Sequence, residues 1–369
     1  MYEGSGESGR SSFWVDSGAR GTCTGLWWGP GLGAGVAGAI TRRVQVGDVA
    51  VFGGVPEGSS RRWFSRYASL LLAYLLFVIV FGAWVRITGS GAGCGDHWPT
   101  CHGELVPRSP SAQTLIEYTH RLTSGSLGLM ALALPVWAFR IFPPRHLARR
   151  FALATLILVL VEAGIGAGLV LRQLVALDAS VARAVAVAVH LANTLLLTAS
   201  EALTLAAAQP ALEPALPRSM RAPGLVERGG TGLIIALGVG LVLVSASGAV
   251  TALGDTLFPV NAAGAPASHF LVELRVIHPL LACVLVCAAV LVAYRFAREP
   301  RCRPWALALG GLSVLQAALG ALNIGLNAPG WLQLTHLLLA QLTWLCAIML
   351  GFVRRSGEAV EGRTGIVQA

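Results

Sequence analysis

The sequence has 369 residues, of which 55% are hydrophobic and only 12% are charged, and its mean hydropathy is +0.68. This composition excludes a soluble globular domain and a disordered chain, and it predicts a protein that crosses a membrane several times. The formal net charge is +9, and all 27 basic residues are arginines. Because a basic excess can also indicate nucleic-acid binding, the positions of the arginines must decide between the two interpretations.

The first 60 residues differ in composition from the rest of the chain. They are rich in glycine and serine, and they contain no basic segment followed by an apolar one that would predict a signal peptide. We expect residues 1–60 to be a disordered tail. A second interpretation is that translation starts downstream, for example at Val51 or Val55.

Eight apolar segments follow, each close to the roughly 20 residues that a helix needs to cross a hydrocarbon core about 30 Å thick. They comprise residues 68–86, 118–139, 151–171, 183–207, 231–252, 273–295, 304–325 and 332–353. We therefore predict an all-α membrane protein with eight transmembrane helices.

The arginines cluster on one side of these predicted helices. They precede the first helix, follow the last one, and fill the loops after the second, fourth and sixth helices, whereas the other loops carry few. By the positive-inside rule, both termini are cytoplasmic and the first, third, fifth and seventh loops face the outside. The basic excess thus reflects membrane topology, and we predict no nucleic-acid partner.

The first outer loop contains the stretch GSGAGCGDHWPTCHG, in which Cys94 and Cys101 are seven residues apart. Two such cysteines can form a structural disulfide, a reversible redox pair or part of a metal site. Because the loop is predicted to face the oxidising side, a structural disulfide is the first interpretation and a redox pair the second. His97 and His102 could add ligands for zinc, but their arrangement is unlike a zinc finger.

The last four predicted helices repeat the pattern of the first four. The stretches FGAWVRITGSG, EYTHRLTSGSLGLM, LVEAGIGAGLVL and VAVHLANTLLL correspond to SGAVTALGD, ELRVIHPLLACVLV, VLQAALGALNIGL and QLTHLLLAQLTW. Since each half has four helices, both halves keep one orientation, and we predict two tandem four-helix bundles related by a pseudo-twofold axis along the membrane normal. The predicted parts are an N-terminal bundle, a cytoplasmic linker, a C-terminal bundle and a cytoplasmic tail, at 61–208, 209–230, 231–353 and 354–369.

Four of the eight histidines lie in predicted helices, at the matching position of each repeat: His120, His190, His278 and His336. A single histidine in an apolar helix is more often a hydrogen-bonded core residue than a ligand. Intramembrane ionisable groups are nevertheless costly and tend to mark functional sites. Two imidazoles from different helices of a bundle can bind the iron of one heme from opposite faces. We therefore predict heme as the cofactor.

The surroundings of these histidines differ between the halves. Glu117 is three residues before His120, so both project from one helix face, whereas Glu273 is five residues before His278. This difference favours proton or charge chemistry at the first site, although a first-turn acid is also favoured by the helix dipole. Arg121 could pair with a heme propionate or anchor the helix end at the membrane interface.

The stretch VRITGSGAGCGDHWPTCHG followed by IEYTHRLTSG, with the later histidine helices, resembles the heme A synthase family over about residues 65–353. Members of that family oxidise the C8 methyl group of heme O to a formyl group by successive hydroxylations, which gives the heme A of terminal oxidases. The resemblance implies an oxidoreductase of the bacterial inner membrane. One departure is visible within the repeat, where Glu162 stands at the position of Gln316 in the second half.

The resemblance also implies which residues bind heme and which acts in catalysis. His120 and His190 would be ligands of the substrate heme, and His278 and His336 would bind the iron of a heme b cofactor that relays electrons. Glu117 would be the catalytic acid.

The resemblance further implies a disulfide between Cys94 and Cys101. We expect the loop that it closes to cover the outer face of the first heme site, with Trp98 placed over the pocket and Arg121 as a supporting residue. The implied partners are heme O delivered by a heme O synthase, an electron donor or acceptor, and the lipid bilayer. A homo-oligomer is compatible with the sequence.

Two other classes of protein compete with this interpretation. A diheme membrane cytochrome b that only transfers electrons explains the four histidines equally well, but it does not explain Glu117 or the cysteine loop. A transporter with duplicated bundles would need broken helices and polar groups at mid-bilayer. The polar groups singled out here cluster near the outer helix ends, so the transporter ranks third.

Overall fold

The structure is a computed structural model that describes residues 57–209, 225–259 and 269–364, with side chains over 58–209, 230–259 and 269–356. Of the tail predicted at 1–60, residues 1–56 lie outside the described residues, and of the linker predicted at 209–230, residues 210–224 lie outside them. Of the tail predicted at 354–369, the backbone is described as far as residue 364 and the side chains as far as residue 356.

The described residues fold into long helices joined by short loops. The longer helices are α1 (Glu57–Ile87), α2 (Ala112–Ile141), α3 (Leu147–Leu171), α4 (Val181–Ala208) and α5 (Leu225–Leu257), followed by the short α6 (Phe270–Glu273) and then α7 (Ile277–Phe296), α8 (Arg303–Gly325) and α9 (Gly330–Thr364). A 3₁₀ turn at Leu274–Val276 joins α6 to α7, so that Phe270–Phe296 forms one span. Eight helices are long and apolar enough to cross a membrane, which confirms the predicted all-α membrane protein.

Several helices extend beyond the apolar segments that predicted them. The helix α1 begins at Glu57, and its first turns carry Arg62 and Arg66, which are both exposed. Hydropathy detects only the part of a helix that is apolar, and an arginine-rich turn continues the same backbone because arginine is a good helix former. The helix α5 also begins inside the predicted linker, at Leu225.

The helices pack as two rings of four. In the first ring α1 contacts α2 and α4, and α3 lies between α2 and α4; in the second, α5 contacts α7 and α9, and α8 lies between α7 and α9. The helix α4 also contacts both α5 and α9. Small side chains such as Ala131, Ala152 and Ala206 are fully buried where helices approach closely, as is common in membranes. The pseudo-twofold axis and the predicted boundaries of the two bundles stay predictions.

Large apolar side chains are exposed along the outside of the rings. Leu70, Leu129, Leu160, Val284 and Leu291 are each at least 60% exposed. In water such a surface would favour aggregation, but the hydrocarbon of a bilayer covers it without cost.

Arg86 ties the two rings together at the end that carries the cysteine loop, called the loop end below. Its Nη1 donates to the carbonyl of Ala252 at 2.6 Å and to Oγ1 of Thr256 at 2.5 Å, and its Nη2 donates to Oε1 of Gln333 at 3.0 Å. All three acceptors belong to the second ring. Because a desolvated guanidinium is tolerated only when its donors are satisfied, Arg86 constrains how the rings meet.

Replacing Arg86 by methionine should destabilise the protein by about 2 kcal/mol or more, since hydrogen bonds to charged groups contribute about 1.5–3 kcal/mol and their acceptors would stay buried. The measurement is thermal unfolding in detergent, followed by tryptophan fluorescence. Arg62→Met, on the exposed first turns of α1, is the matched control. Equal melting temperatures for the two variants would show that the Arg86 contacts do not stabilise the junction.

Candidate functional site

The four helical histidines lie in the second or third turn of their spans, counted from the loop end. All four imidazoles are half-buried among the helices of their own half of the protein. The centroids of His278 and His336 are 6.5 Å apart, and their planes are almost perpendicular at 83°. Two imidazoles on opposite sides of one metal ion have centroids about 6 Å apart, because each metal–nitrogen bond is about 2 Å long. This pair therefore fits the two axial ligands of one iron.

Glycines on the preceding spans make room for two of the rings. A Cβ atom added at Gly82 would lie 3.0 Å from Cε1 of His120, and one added at Gly248 would lie 2.8 Å from Cε1 of His278. Real Cβ atoms essentially never approach as closely as 2.8 Å, so any other residue at position 248 would displace the His278 ring, whereas a Cβ at position 82 would require the His120 ring to shift by a few tenths of an ångström. Gly82 and Gly248 occupy the same position of the two repeats, in FGAW and SGAV. Each imidazole is thus seated against a glycine in the same way.

The Nδ1 atoms of the two histidines in the second half have different surroundings. Nδ1 of His278 is 3.1 Å from the carbonyl oxygen of Val244 and 3.2 Å from Oγ of Ser247. Nδ1 of His336 is buried and has no hydrogen-bond partner within the described part of the chain. A contact at Nδ1 fixes the orientation of an imidazole, so the two histidines of the second half are held unequally.

In the first half a carboxylate lies beside the histidine of α4. Oε1 of Glu162 is 3.3 Å from Nδ1 of His190 and also accepts a hydrogen bond from the hydroxyl of Thr194. Oε2 of Glu162 accepts from Nδ2 of Asn193 at 2.5 Å. In the second half, Gln316 instead donates to the backbone carbonyl of His336 at 3.1 Å. The exchange of Glu162 for Gln316 therefore changes which atoms surround the histidine.

The cysteine loop is closed by a disulfide between Cys94 and Cys101, and both residues are fully buried. Backbone hydrogen bonds connect the amide of His102 to the carbonyl of Cys94 at 3.0 Å and the amide of Cys101 to the carbonyl of Glu104 at 2.9 Å. The two sulfur atoms are thus bonded to each other rather than held as metal ligands, in agreement with the first of the three interpretations. Trp98 is 43% exposed on this loop.

Glu117 and Arg121 hold this loop on α2. The Glu117 side chain is 3% exposed, and its Oε2 accepts a hydrogen bond from the amide of Cys94 at 2.8 Å. Its Oε1 accepts from Nη2 of Arg121 at 2.5 Å, and Nη1 of Arg121 donates to the carbonyls of His97 and Thr100 at 2.7 Å and 2.6 Å. The carboxylate is thus held by the loop through Oε2 and by Arg121 of the same helix through Oε1, one turn away from His120. Arg121, expected near a heme propionate or at the interface, is directed to loop carbonyls.

Gly93 allows the loop to lie directly on the first turn of α2. A Cβ atom at this position would lie 2.4 Å from the carbonyl carbon and oxygen of Gln113. The carbonyl of Gly93 also accepts a hydrogen bond from the hydroxyl of Thr114 at 2.7 Å. Only glycine permits this approach of two backbones.

Residues 65–348 match the model of the COX15-CtaA family, whose description is cytochrome oxidase assembly protein. The chain belongs to this family. The matched range contains the cysteine loop and all four helical histidines.

Named relatives of this COX15-CtaA protein are of two kinds. A protein of Thermus thermophilus named Protoheme IX farnesyltransferase is 43% identical over 313 residues, which are 81% of this chain and 51% of the relative. Heme A synthase of Exiguobacterium sibiricum is 39% identical over 112 residues, which are 30% of this chain and 38% of the relative. Heme A synthase of another Exiguobacterium species is 43% identical over 99 residues, 27% of this chain and 33% of the relative. The chain thus spans about half the length, or less, of these relatives.

Sequence reasoning missed several residues of the site in this COX15-CtaA protein. Gly82 and Gly248 carried a signal, because they recur at one position of the repeat. Arg86 lies at the end of the first apolar segment, where the sequence indicates only a charge at a helix end. Nothing in the sequence indicates that Gly93 contacts the backbone of α2, since that contact depends on how the loop folds back.

Replacing Gly93 by alanine should lift the cysteine loop from α2, because the new methyl group would overlap the Gln113 carbonyl. The buried disulfide should then be reduced by dithiothreitol at least about tenfold faster, as expected for a local opening that costs about 1.4 kcal/mol less. The measurement is the rate of maleimide labelling after reduction. Gly91→Ala is the matched control, because a Cβ there would lie at an ordinary 3.5 Å from Val175. Equal rates would contradict the proposed contact.

Proposed function

We propose that this protein is a heme A synthase, which oxidises the C8 methyl group of heme O to a formyl group. The observation that carries the proposal is the pairing of helical histidines in both halves. Within the described residues, a loop closed by a disulfide and bonded to a buried acid lies beside the first pair and not beside the second. A protein that only carries electrons needs the pairs but has no use for this asymmetry.

The second pair is the proposed site of a heme b cofactor. His278 and His336 would bind its iron, which is supported by the 6.5 Å between their ring centroids and by the glycine contact of His278. Heme b, when bound, supplies one-electron transfer, because ligation by two histidines suits electron transfer rather than oxygen binding.

The first pair is the proposed substrate site. His120 and His190 are close enough to interact electrostatically, and Gly82 leaves room for the His120 ring. These residues would hold heme O through its iron. The loop closed by Cys94 and Cys101 would exclude water from the outer face, with Trp98 at its exposed edge.

Glu117 is the proposed catalytic residue. It lies on the same face of α2 as His120, one turn closer to the loop end, and it is the buried carboxylate that connects this face to the loop. A carboxylate at this place can accept a proton or stabilise positive charge that develops at the methyl carbon. Arg121 would keep the Glu117 carboxylate oriented between turnovers.

Two hydroxylations convert the methyl group first to a hydroxymethyl group and then to a gem-diol, which loses water to give the aldehyde. With water as the oxygen source, each hydroxylation removes two electrons and two protons from the substrate. The electrons would leave toward a partner outside this chain, which makes the protein an oxidoreductase.

The names of the relatives support a substrate of the heme class. The shorter matches are to heme A synthases, and the longer match is to half of a protein named for the farnesylation of protoheme. An enzyme that farnesylates protoheme is the proposed supplier of heme O. The arginine distribution supports a bacterial inner-membrane protein with cytoplasmic termini and the loop end outside.

The test is expression in a bacterial host that makes heme O but no heme A, followed by heme extraction, chromatography and mass analysis. We expect heme A or its hydroxymethyl precursor in cells with this chain and neither product in cells with empty vector. Low-spin heme in the purified protein together with unchanged heme O would instead favour the diheme cytochrome b. Conversion of protoheme and farnesyl diphosphate into heme O by the purified chain would favour a farnesyltransferase.

Single substitutions should separate the two sites. His336→Ala should abolish heme b binding, whereas His190→Ala should leave heme b and remove the substrate heme. The measurement is the heme content per protein, by pyridine hemochrome, with the heme types separated by chromatography. Loss of both hemes in either variant, with unchanged folding by circular dichroism, would contradict two independent sites.

Glu117→Gln should lower the formation of heme A about 100-fold or more while heme b stays bound, because the amide can still accept from Cys94 but cannot accept a proton. Gly93→Ala serves as the comparison, since it loosens the loop and keeps the carboxylate. If Gly93→Ala abolished conversion and Glu117→Gln did not, Glu117 would only position the loop.

A further inference from the structure

Below His190, the helix α4 carries polar side chains for most of its remaining length. They are Asn193, Thr194, Thr198, Ser200, Glu201 and Thr204, and each is at most 7% exposed. They continue away from the loop end, toward the last turn of α4 at Ala208. A helix within a membrane normally buries few such groups, so this row, called the α4 polar track, requires an explanation.

The corresponding helix of the second half, α9, buries fewer polar side chains within its described residues, namely Gln341 and Thr343. When His190 is aligned with His336, the six track positions correspond to Leu339, Ala340, Trp344, Cys346, Ala347 and Leu350. The neighbouring helix differs in the same way, because Thr155 of α3 corresponds to Leu309 of α8 when Glu162 is aligned with Gln316. Packing of a four-helix ring therefore does not require these polar groups.

Hydrogen bonds connect the track to its surroundings at several levels. Nearest the histidine, Thr194 donates to Glu162. In the middle, Thr198 donates to Oε1 of Gln341 on α9 at 3.3 Å. Farther along, the hydroxyls of Ser200 and Thr155 are 2.9 Å apart. Polar contacts thus extend from the first histidine pair to the far part of α4.

Glu201 is the ionisable group of the far part of the track. Its side chain is 0% exposed, and neither carboxylate oxygen makes a well-formed hydrogen bond within the described residues. The Thr155 hydroxyl approaches the carboxylate without good hydrogen-bond geometry, and Tyr67 is close enough to interact with it electrostatically. Threonine and serine hydroxyls can stabilise helix contacts by bonding to backbone carbonyls, but a buried carboxyl without a well-formed hydrogen bond is costly.

We propose that the α4 polar track conducts protons between the first histidine pair and the end of the helix bundle opposite the loop, with Glu201 as the proton-carrying group. The proposal rests on the proposed heme A synthase activity. A hydroxylation by water releases two protons with two electrons, and one by dioxygen takes up two protons with two electrons. Protons must therefore reach or leave a site that the loop closes from the other side. In the track, the carboxylate of Glu201 gains one proton and later releases the same proton, so that no bond to carbon and no electron is involved.

The first experiment is infrared difference spectroscopy of the heme-loaded protein as it is reduced electrochemically. We expect a change in the carbonyl stretch of a protonated carboxyl group that is absent in Glu201→Gln and shifted in Glu201→Asp. This readout does not depend on conversion of heme O. An identical difference spectrum for wild type and Glu201→Gln would overturn the proposal.

The second experiment is the rate of heme A formation and its solvent deuterium isotope effect. Glu201→Gln should slow formation by about tenfold or more, and Glu201→Asp should restore part of the rate. Thr204→Val and Thr343→Val form a matched pair, because each hydroxyl is at most 3% exposed and donates to a carbonyl four residues earlier at 2.9 Å. We expect slower formation with a larger isotope effect for Thr204→Val and wild-type values for Thr343→Val.

The two proposals can fail separately. If wild type forms no heme A, the proposed activity fails, and the infrared spectrum still decides whether Glu201 gains or loses a proton with heme reduction. If wild type forms heme A while Glu201→Gln keeps its rate, isotope effect and infrared spectrum, the activity stands and the proton track is wrong.

Discussion

Two contacts between a histidine and a glycine constrain much of the rest of the structure. The imidazole of His120 lies against Gly82, and that of His278 lies against Gly248, each on the preceding span. Each contact fixes how closely the first two spans of a ring of helices approach each other. The opposing histidines, His190 and His336, come from the last span of each ring and complete the pairs. A Cβ atom at either position would push the imidazole from its place, more strongly at Gly248 than at Gly82, so the two glycines keep the imidazoles where they are.

The two rings of helices share this arrangement but differ in polarity. In the second, the described contacts of the histidines are a backbone carbonyl, the Ser247 hydroxyl and Gln316, which suits a site that holds a heme and passes electrons. In the first, Glu117, Glu162 and the α4 polar track add two carboxylates near the pair and more buried hydroxyls. Such groups are expensive within a membrane, so their concentration in one half of a repeated unit supports chemistry at that half.

Arg86 and the cysteine loop connect these elements at one end. Arg86 bonds the first ring to the second through Ala252, Thr256 and Gln333, so the two histidine pairs have a defined relation to each other. The loop is attached to α2 by hydrogen bonds to Glu117 and Arg121 and by the close contact of the Gly93 backbone. Glu117, which is proposed to act on the substrate, therefore also holds the loop that covers its own site. The variants Glu117→Gln and Gly93→Ala separate these two roles.

The sequence by itself determined the eight spans, because apolar segments of membrane-spanning length are a property of composition, and it determined the matching places of the four histidines, because a repeat is visible in the letters. It also indicated the cysteine pair. Tertiary structure alone decided that Glu117 is bonded to the amide of Cys94, that Gly93 lies on the Gln113 carbonyl, and that Glu201 is buried without a well-formed hydrogen bond. These contacts depend on which side chains of distant segments meet. The periodicity of one helix indicates which of its faces is buried, but not which residues of other helices or loops pack against that face. The helix ends also differed from the prediction, since arginine-rich turns extend a helix beyond the apolar stretch that hydropathy detects.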